Sequence, residues 1–252
     1  MTAIPNGLFG VIARKNAGGG GPVDEANLTA WFKADGVVYN TGTTQATNGQ
    51  TVDKWVDATG NGHDIVQTTA GNRPLFITGA QNSLPGLQFV SSDWLEKGSA
   101  IVTAAPYTIY AVAKSSSTAT QFIMMMPNSA SGSTYFSLDI TAASAINHTA
   151  RGGGTATATT STAFSLNTAF LATGKATSAS SRQVRLNGAG TAANGSAVTP
   201  AGVNQFALGM ARDSSPNQPL VGFIYEFRLY NVAHDDTTRD AVEAELNSKW
   251  AI

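Results

Sequence analysis

Nine short runs of aromatic, aliphatic and β-branched residues, separated by turn-forming clusters, limit what this chain can fold into. They cover residues 28–32, 51–56, 107–112, 121–126, 135–140, 169–172, 183–186, 205–208 and 222–230. Each has the length of a strand and is too short for a helix that buries a face. Val184 and Leu186 run out of phase with Gln183 and Arg185, as on a sheet with one wet face. Asn61-Gly62, Asn187-Gly188 and Asn194-Gly195 suit tight hairpin bends, because both residues tolerate positive φ. The expectation is an all-β antiparallel sandwich of jelly-roll type. Helical spacing occurs at the C-terminal end, where Ala241, Val242, Leu246 and Trp250 recur after a cap at Asp235 or Asp236. A short helix on the sandwich edge is expected there, with Arg239, Asp240, Glu243 and Glu245 mostly outward.

Residues 1–26 read as an N-terminal arm and residues 27–252 as one domain. Gly18 to Gly21 form an unbroken glycine run that cannot sit inside an element. Before it, Ile4, Leu8, Phe9, Val11 and Ile12 are too apolar for an idle tail. The segment either docks on a partner or neighbouring subunit, or folds back as a first strand. Its basic pair, Arg14-Lys15, follows the apolar stretch, the reverse of a secretory signal.

Only 12% of residues are charged, and the formal net charge is −1. A nucleic-acid binder needs an excess of Lys and Arg to displace counterions, and an anionic membrane asks for the same. Neither partner is expected. Hydrophobic residues make up 42%, enough for a packed core, and the absence of cysteine excludes disulfides and thiolate metal sites.

Two blocks carry a family resemblance. The first is Leu28-Thr-Ala-Trp31-Phe-Lys-Ala-Asp35-Gly36, followed by Val52-Asp-Lys-Trp55-Val-Asp57-Ala-Thr-Gly60-Asn-Gly-His-Asp64. The second runs from Gly222-Phe-Ile-Tyr-Glu226-Phe-Arg-Leu-Tyr230 into Arg239-Asp-Ala-Val-Glu243-Ala-Glu-Leu-Asn-Ser-Lys-Trp250, with Leu84-Pro-Gly-Leu-Gln-Phe89 and Asp93-Trp94-Leu95 between the blocks. In order and spacing the chain resembles the laminin-G-like jelly rolls of the concanavalin A-like superfamily. The arm and the Gly/Ala/Ser/Thr-rich composition resemble bacteriophage structural proteins in style. The resemblance implies a non-catalytic virion component, a capsid decoration or head-fibre protein. Its expected partner is a major capsid or other virion protein, and its expected state a homo-oligomer, a trimer being favoured. The alternative is a carbohydrate-binding adhesin recognising a host-surface glycan.

Trp31 and Trp55 are expected as core anchors and Asp57 as the acceptor that fixes the Gly60–Gly62 bend. Glu226 is expected to pair with Arg228 or Arg73 at the surface. Retaining glucanases of the superfamily need two carboxyls about 5–5.5 Å apart, hence two glutamates on one face of a strand. No run here has such a pair, so no catalytic residues are assigned. Tyr39 and Trp94 are the candidate glycan-stacking rings. His63, His148 and His234 are isolated and expected to serve in turn hydrogen bonds. The superfamily often binds Ca²⁺, for which Asp57, Asn61 and Asp64 would supply oxygen ligands, but the Asn-Gly turn explains the same residues without a metal. Met124-Met-Met126 is expected to fill core with alternate residues inward.

Overall fold

Alternation of apolar and polar side chains builds two antiparallel sheets in the computed structural model, which describes residues 21–90 and 92–252. The first strands are β1 (Leu28–Lys33), β2 (Val38–Thr41), β3 (Thr44–Gln45), β4 (Lys54–Trp55), β5 (Ile65–Val66), β6 (Leu75–Gln81), β7 (Leu84–Phe89), β8 (Leu95–Lys97) and β9 (Tyr107–Ser115). There follow β10 (Gln121–Pro127), β11 (Tyr135–Ile140), β12 (Ile146–Arg151), β13 (Thr155–Thr159), β14 (Phe170–Ser178), β15 (Ser181–Leu186), β16 (Ala189–Asn194), β17 (Phe206–Leu208) and β18 (Gly222–Tyr230). Helix α1 (Asp236–Trp250) closes the chain. Sheet one has the order β16-β15-β14-β9-β18-β7-β6, with β1 also on β18, and sheet two the order β13-β12-β11-β10-β17-β8-β5-β4-β2-β3. The expected sandwich is the observed one.

The long last strand organises sheet one. Along one edge β18 pairs its first residues with β7 and its later ones with β1, while β9 runs along its whole other edge. Gly222 is required where β18 meets β9, since a Cβ there would lie 1.9 Å from the Lys114 carbonyl oxygen. Between the sheets, Phe32, Trp55, Phe206 and Phe227 interlock, with Phe206 edge-on to Phe227 at 5.5 Å. Asn187 and Gly188 hold φ of +51° and +71° between β15 and β16, the hairpin bend expected. Asn194-Gly195 instead ends β16 without a hairpin.

Helix α1 covers the outer face of sheet one. Val242, Leu246 and Trp250 pack on Tyr110, Val112, Leu171, Tyr225 and Tyr230, and the Asp235 side chain caps the helix by accepting from Thr238 N at 2.7 Å. The expected outward set is corrected here: Arg239 and Glu243 are buried and Ala241 is exposed. Residues 239, 242, 243, 246 and 250 share one helical face, and Arg185 reaches across from β15 to Asp240 (2.7 Å) and Glu243 (3.3 Å), which makes burial of those charges tolerable. The base of the arm is docked as well. Val23 N donates to Glu245, and Tyr230 Oη donates to Val23 O. The arm's apolar residues Ile4, Leu8, Phe9, Val11 and Ile12 lie outside the described residues.

Met124 and Met126 point into the core as expected, and Met125, which points out of the sandwich, is buried as well under Ala211, Phe122 and Tyr135. Two further expectations are corrected. Trp55 is a core anchor, but Trp31 is only half-buried: Ala30 and Phe32 take the inward positions of β1 and leave Trp31 outside. Glu226 is 1% exposed rather than a surface residue, and Arg73 bonds Gln67 and Thr68 carbonyls instead of it.

Candidate functional site

Helix α1 plates the outer face of sheet one; on the outer face of sheet two the central strands β10, β11 and β17 are also buried, so solvent reaches that face at its two ends, β12–β13 and β8–β2. Its composition follows from period two. On β11 Phe136, Leu138 and Ile140 enter the core, on β12 Ile146 and Ala150, on β13 Ala156 and Ala158. The intervening Ser137, Asp139, Asn147, Thr149, Arg151, Thr157 and Thr159 therefore point away from the core, but Ser137, Asp139 and Thr149 are buried among their neighbours and only Asn147, Arg151, Thr157 and Thr159 reach solvent. They are bonded to one another. Asp139 accepts from Ser137 Oγ (2.7 Å) and Asn147 Nδ2 (2.9 Å), Thr159 Oγ1 donates to Asn147 Oδ1 (2.7 Å), and the Thr149 and Thr157 hydroxyls meet at 3.0 Å. Burial pushes the Asp139 carboxyl up to about 6, against those hydrogen bonds.

Across β10 and β17 from these strands lies the half-buried ring of Trp94. Trp94 immediately precedes β8, and the Arg212 guanidinium sits over its ring, 4.1 Å from the centroid. Arg212 Nε donates to Glu96 Oε2 at 2.8 Å, and Gln205 Nε2 donates to the same oxygen at 2.7 Å. Both side chains are thereby fixed beside a cleft of about 440 Å³ lined by Gly98, Ser129, Asn204, Gln205, Arg212 and Asp213. That volume falls in the range of small-ligand clefts. The wall mixes amide, hydroxyl, guanidinium and carboxylate groups, a set that can both donate to and accept from vicinal hydroxyls.

Tyr39 is on β2, where Val38 points inward and Tyr39 outward, with the Lys54 ammonium 5.7 Å from its ring centre. The two candidate rings thus belong to the same sheet face. Strands β5 and β4 separate them, a span of about 14 Å at ordinary strand spacing. They cannot sandwich one sugar; they can contact separate units of one chain.

The calcium ligands do not fit a cation. Asp57 Oδ1 accepts from Trp31 N, Thr59 N and Thr59 Oγ1, and Oδ2 accepts from His63 N, so N–H and O–H donors fill the lone pairs. Asn61 turns its amide nitrogen toward the Thr29 carbonyl, and Asp64 accepts from Asp57 N. Asp57 is the acceptor that ties its loop, as expected, but it ties that loop to β1 as well. Among the described residues no three acidic or histidine side chains converge as a metal-binding group.

The remaining histidines are structural. His148 lies between the sheets, its Nε2 3.0 Å from Tyr107 Oη and its Nδ1 3.0 Å from Gln183 O, and burial lowers it to about 4. His234 bridges Tyr110 Oη (2.8 Å) and Asp24 (3.2 Å). Glu226 is a second polar centre that the sequence disguised. It accepts from Trp31 Nε1 (2.7 Å), Arg228 Nε (2.8 Å), Lys249 Nζ (2.7 Å) and Trp250 Nε1 (2.9 Å), clamping β1, β18 and α1 together. Burial alone would raise its carboxyl, but Arg228 and Lys249 outweigh that and hold it below the usual value.

No protein-family model matches the chain, and no curated protein matches it by sequence. Solved structures do resemble it. Domain 4 of AbnA, a GH43 extracellular arabinanase from Geobacillus stearothermophilus solved with arabinotriose, aligns with a TM-score of 0.62 at 15% identity, over 86% of this chain and 98% of that one. A GH54 α-L-arabinofuranosidase variant aligns with a TM-score of 0.64 at 13% identity, over 90% of this chain and 64% of that one. The CBM40 of Ruminococcus gnavus IT-sialidase, solved with sialyllactose, aligns with a TM-score of 0.50 at 21% identity, over 57% of this chain and 83% of that one. At these identities the likeness establishes a shared jelly-roll-like β-sandwich fold.

Proposed function

We propose that this protein is a non-catalytic carbohydrate-binding domain that engages a glycan on the outer face of sheet two. The observation that carries the reading is the asymmetry of the sandwich. One face is plated by α1, and the other leaves the half-buried Trp94 and Tyr39 rings and a polar cleft at one end and Asn147, Thr157 and Thr159 at the other within reach of solvent. The fold supports it too, since two of the similar domains were solved holding arabinotriose and sialyllactose. The non-catalytic part rests on the carboxylates: Glu226 is committed to four donor residues, Glu96 at the cleft is held by Arg212 and Gln205, Asp213 accepts from Ser215 N, and Asp139 is the sole acid among the outward positions of β11 to β13.

A glycan array that includes arabino-oligosaccharides and sialylated glycans tests the reading, followed by titration of the hit against Trp94→Ala. The variant should bind at least tenfold more weakly, about 1.4 kcal/mol, with an unchanged melting temperature. If no glycan binds, or if the variant binds like the parent, the reading fails. The virion role and the laminin-G-like assignment stay proposals that rest on the arm and the sequence motifs. Deleting residues 1–21 and measuring loading onto particles tests the former: loss of loading with no glycan bound would favour it over the present reading.

A further inference from the structure

The buried Arg228 and Arg239 and the partly buried Arg185 and Arg212 each hold a carboxylate, whereas the partly buried Arg73 bonds carbonyls. Arg228 has Glu226 and Glu245, Arg185 has Asp240 and Glu243, Arg239 has Asp236 and Asp240, and Arg212 has Glu96. Arg182 on β15 is different. It is 2% exposed, and its hydrogen bonds run to two carbonyls, Ser196 O at 3.2 Å and Ala179 O at 2.8 Å. Its ionisable neighbours Tyr107 and His148 are neutral at pH 7, the phenol being raised by burial and the imidazole lowered to about 4. A buried cation without a counter-charge is costly, and proteins ordinarily pair it.

Arg182 also lines a cavity of about 100 Å³ that shares no lining residue with the cleft beside Trp94. Around it stand Ala104, Ala105, Phe136, Ala176 and Val198, with Ser178 and Thr199 as the two hydroxyl-bearing members, so the wall is mainly apolar. A water occupies about 30 Å³, and an engineered apolar cavity of about 150 Å³ accepts benzene in another protein. The space therefore suits a chain of three or four carbons. An apolar wall with one cation at its rim favours an anion carried on an aliphatic body over a sugar, whose hydroxyls would find few partners there.

We propose that this pocket binds a short aliphatic monocarboxylate, with Arg182 taking the carboxylate and the wall formed by Phe136, Ala176 and Val198 taking the alkyl chain. The site is separate from the glycan surface, and either reading stands if the other fails. The test is an NMR titration of the full chain with butyrate and, in parallel, with its neutral isostere butyramide, following the Arg182 side-chain N–H and the Ala176 amide. Butyrate should saturate these signals, and butyramide should bind at least tenfold more weakly. Val198→Phe, which fills the pocket but leaves Arg182 in place, should abolish the butyrate response while the fold is retained. Arg182→Met should erase the preference for the acid over the amide. Absence of saturable binding, equal binding of the two probes by the parent, or butyrate binding that survives Val198→Phe would each overturn the proposal.

Discussion

Replacing Glu226 by glutamine removes one charge and almost no volume from the clamp that holds β1, β18 and α1. Its oxygens accept from four residues at 2.7–2.9 Å. An amide nitrogen in place of one oxygen would face N–H donors, and the other contacts would lose their charge assistance. Removing one partner of a buried ion pair costs about 3–5 kcal/mol. The lower part of that range applies, because Arg228 keeps Glu245 at 2.6 Å and Lys249 keeps Asp35 at 3.0 Å. With about 2–4 °C per kcal/mol for a domain of this size, Tm should fall by roughly 10 °C. Urea unfolding at pH 7 should show the loss in the midpoint with an unchanged m-value. The pH dependence supplies the stricter check. The folded carboxyl lies below its ordinary value of 4.5, so its stabilisation is present above that pH and is lost as pH falls through the folded value. Parent and variant should converge in acid. A loss under about 1 kcal/mol at pH 7, the scale of an exposed pair, or a gap that does not narrow as the pH falls below 4.5, would refute the account of Glu226 as a clamp.

Asp139 should behave in the opposite sense. Its folded value of about 6 lies above the unfolded 3.8, so its contribution is full below about pH 4 and is lost as pH rises through 6. Urea curves at pH 4 and pH 8 should therefore show Asp139→Asn gaining on the parent by about 2–3 kcal/mol; no relative gain would contradict the buried placement of the acid. Gly222→Ala drives a methyl into the Lys114 carbonyl, 1.9 Å away, in the central β9–β18 ladder. It should cost more than about 3 kcal/mol or prevent soluble expression, whereas a variant as stable as the parent would mean that the two strands can part at that point.

The fold was legible because its strands announce themselves by local pattern. Asn187-Gly188 needs positive φ at both residues, and Asp235 caps a helix whose Val242, Leu246 and Trp250 keep one face. The half-exposed Trp31 was legible in principle, since Ala30 and Phe32 already occupy the inward phase of β1. What could not be read were interactions between distant segments. Met125 is covered by Ala211, and Arg212 finds the Trp94 ring, through a loop whose path no local pattern encodes. Arg239 and Glu243 look like solvent-facing charges until Arg185 is brought across from β15. Tyr39 and Trp94 were found as rings, but their common face depends on the order of β8, β5, β4 and β2 within the sheet.

The low charge content acquires a physical meaning once the charges are located. Glu226, Arg228, Glu245 and Lys249 pin α1 to sheet one, and Arg185, Arg239, Asp240 and Glu243 bind its first turns to β15. A large share of a small complement is thus spent as mortar on one side of the sandwich. The opposite side sets the neutral Asn147, Thr157 and Thr159 beside a few charges that are largely paired, Arg212 with Glu96 and Lys54 with Asp64. A surface of that kind gains little from a charged partner. A neutral glycan offers hydroxyls that can exchange with those of the sheet and apolar ring faces that can stack on Trp94, so binding there should change little with ionic strength. A steep salt dependence of the array hit would place the contact on Arg212 and Asp213 rather than on the rings, and would move the ligand class from neutral to charged sugars.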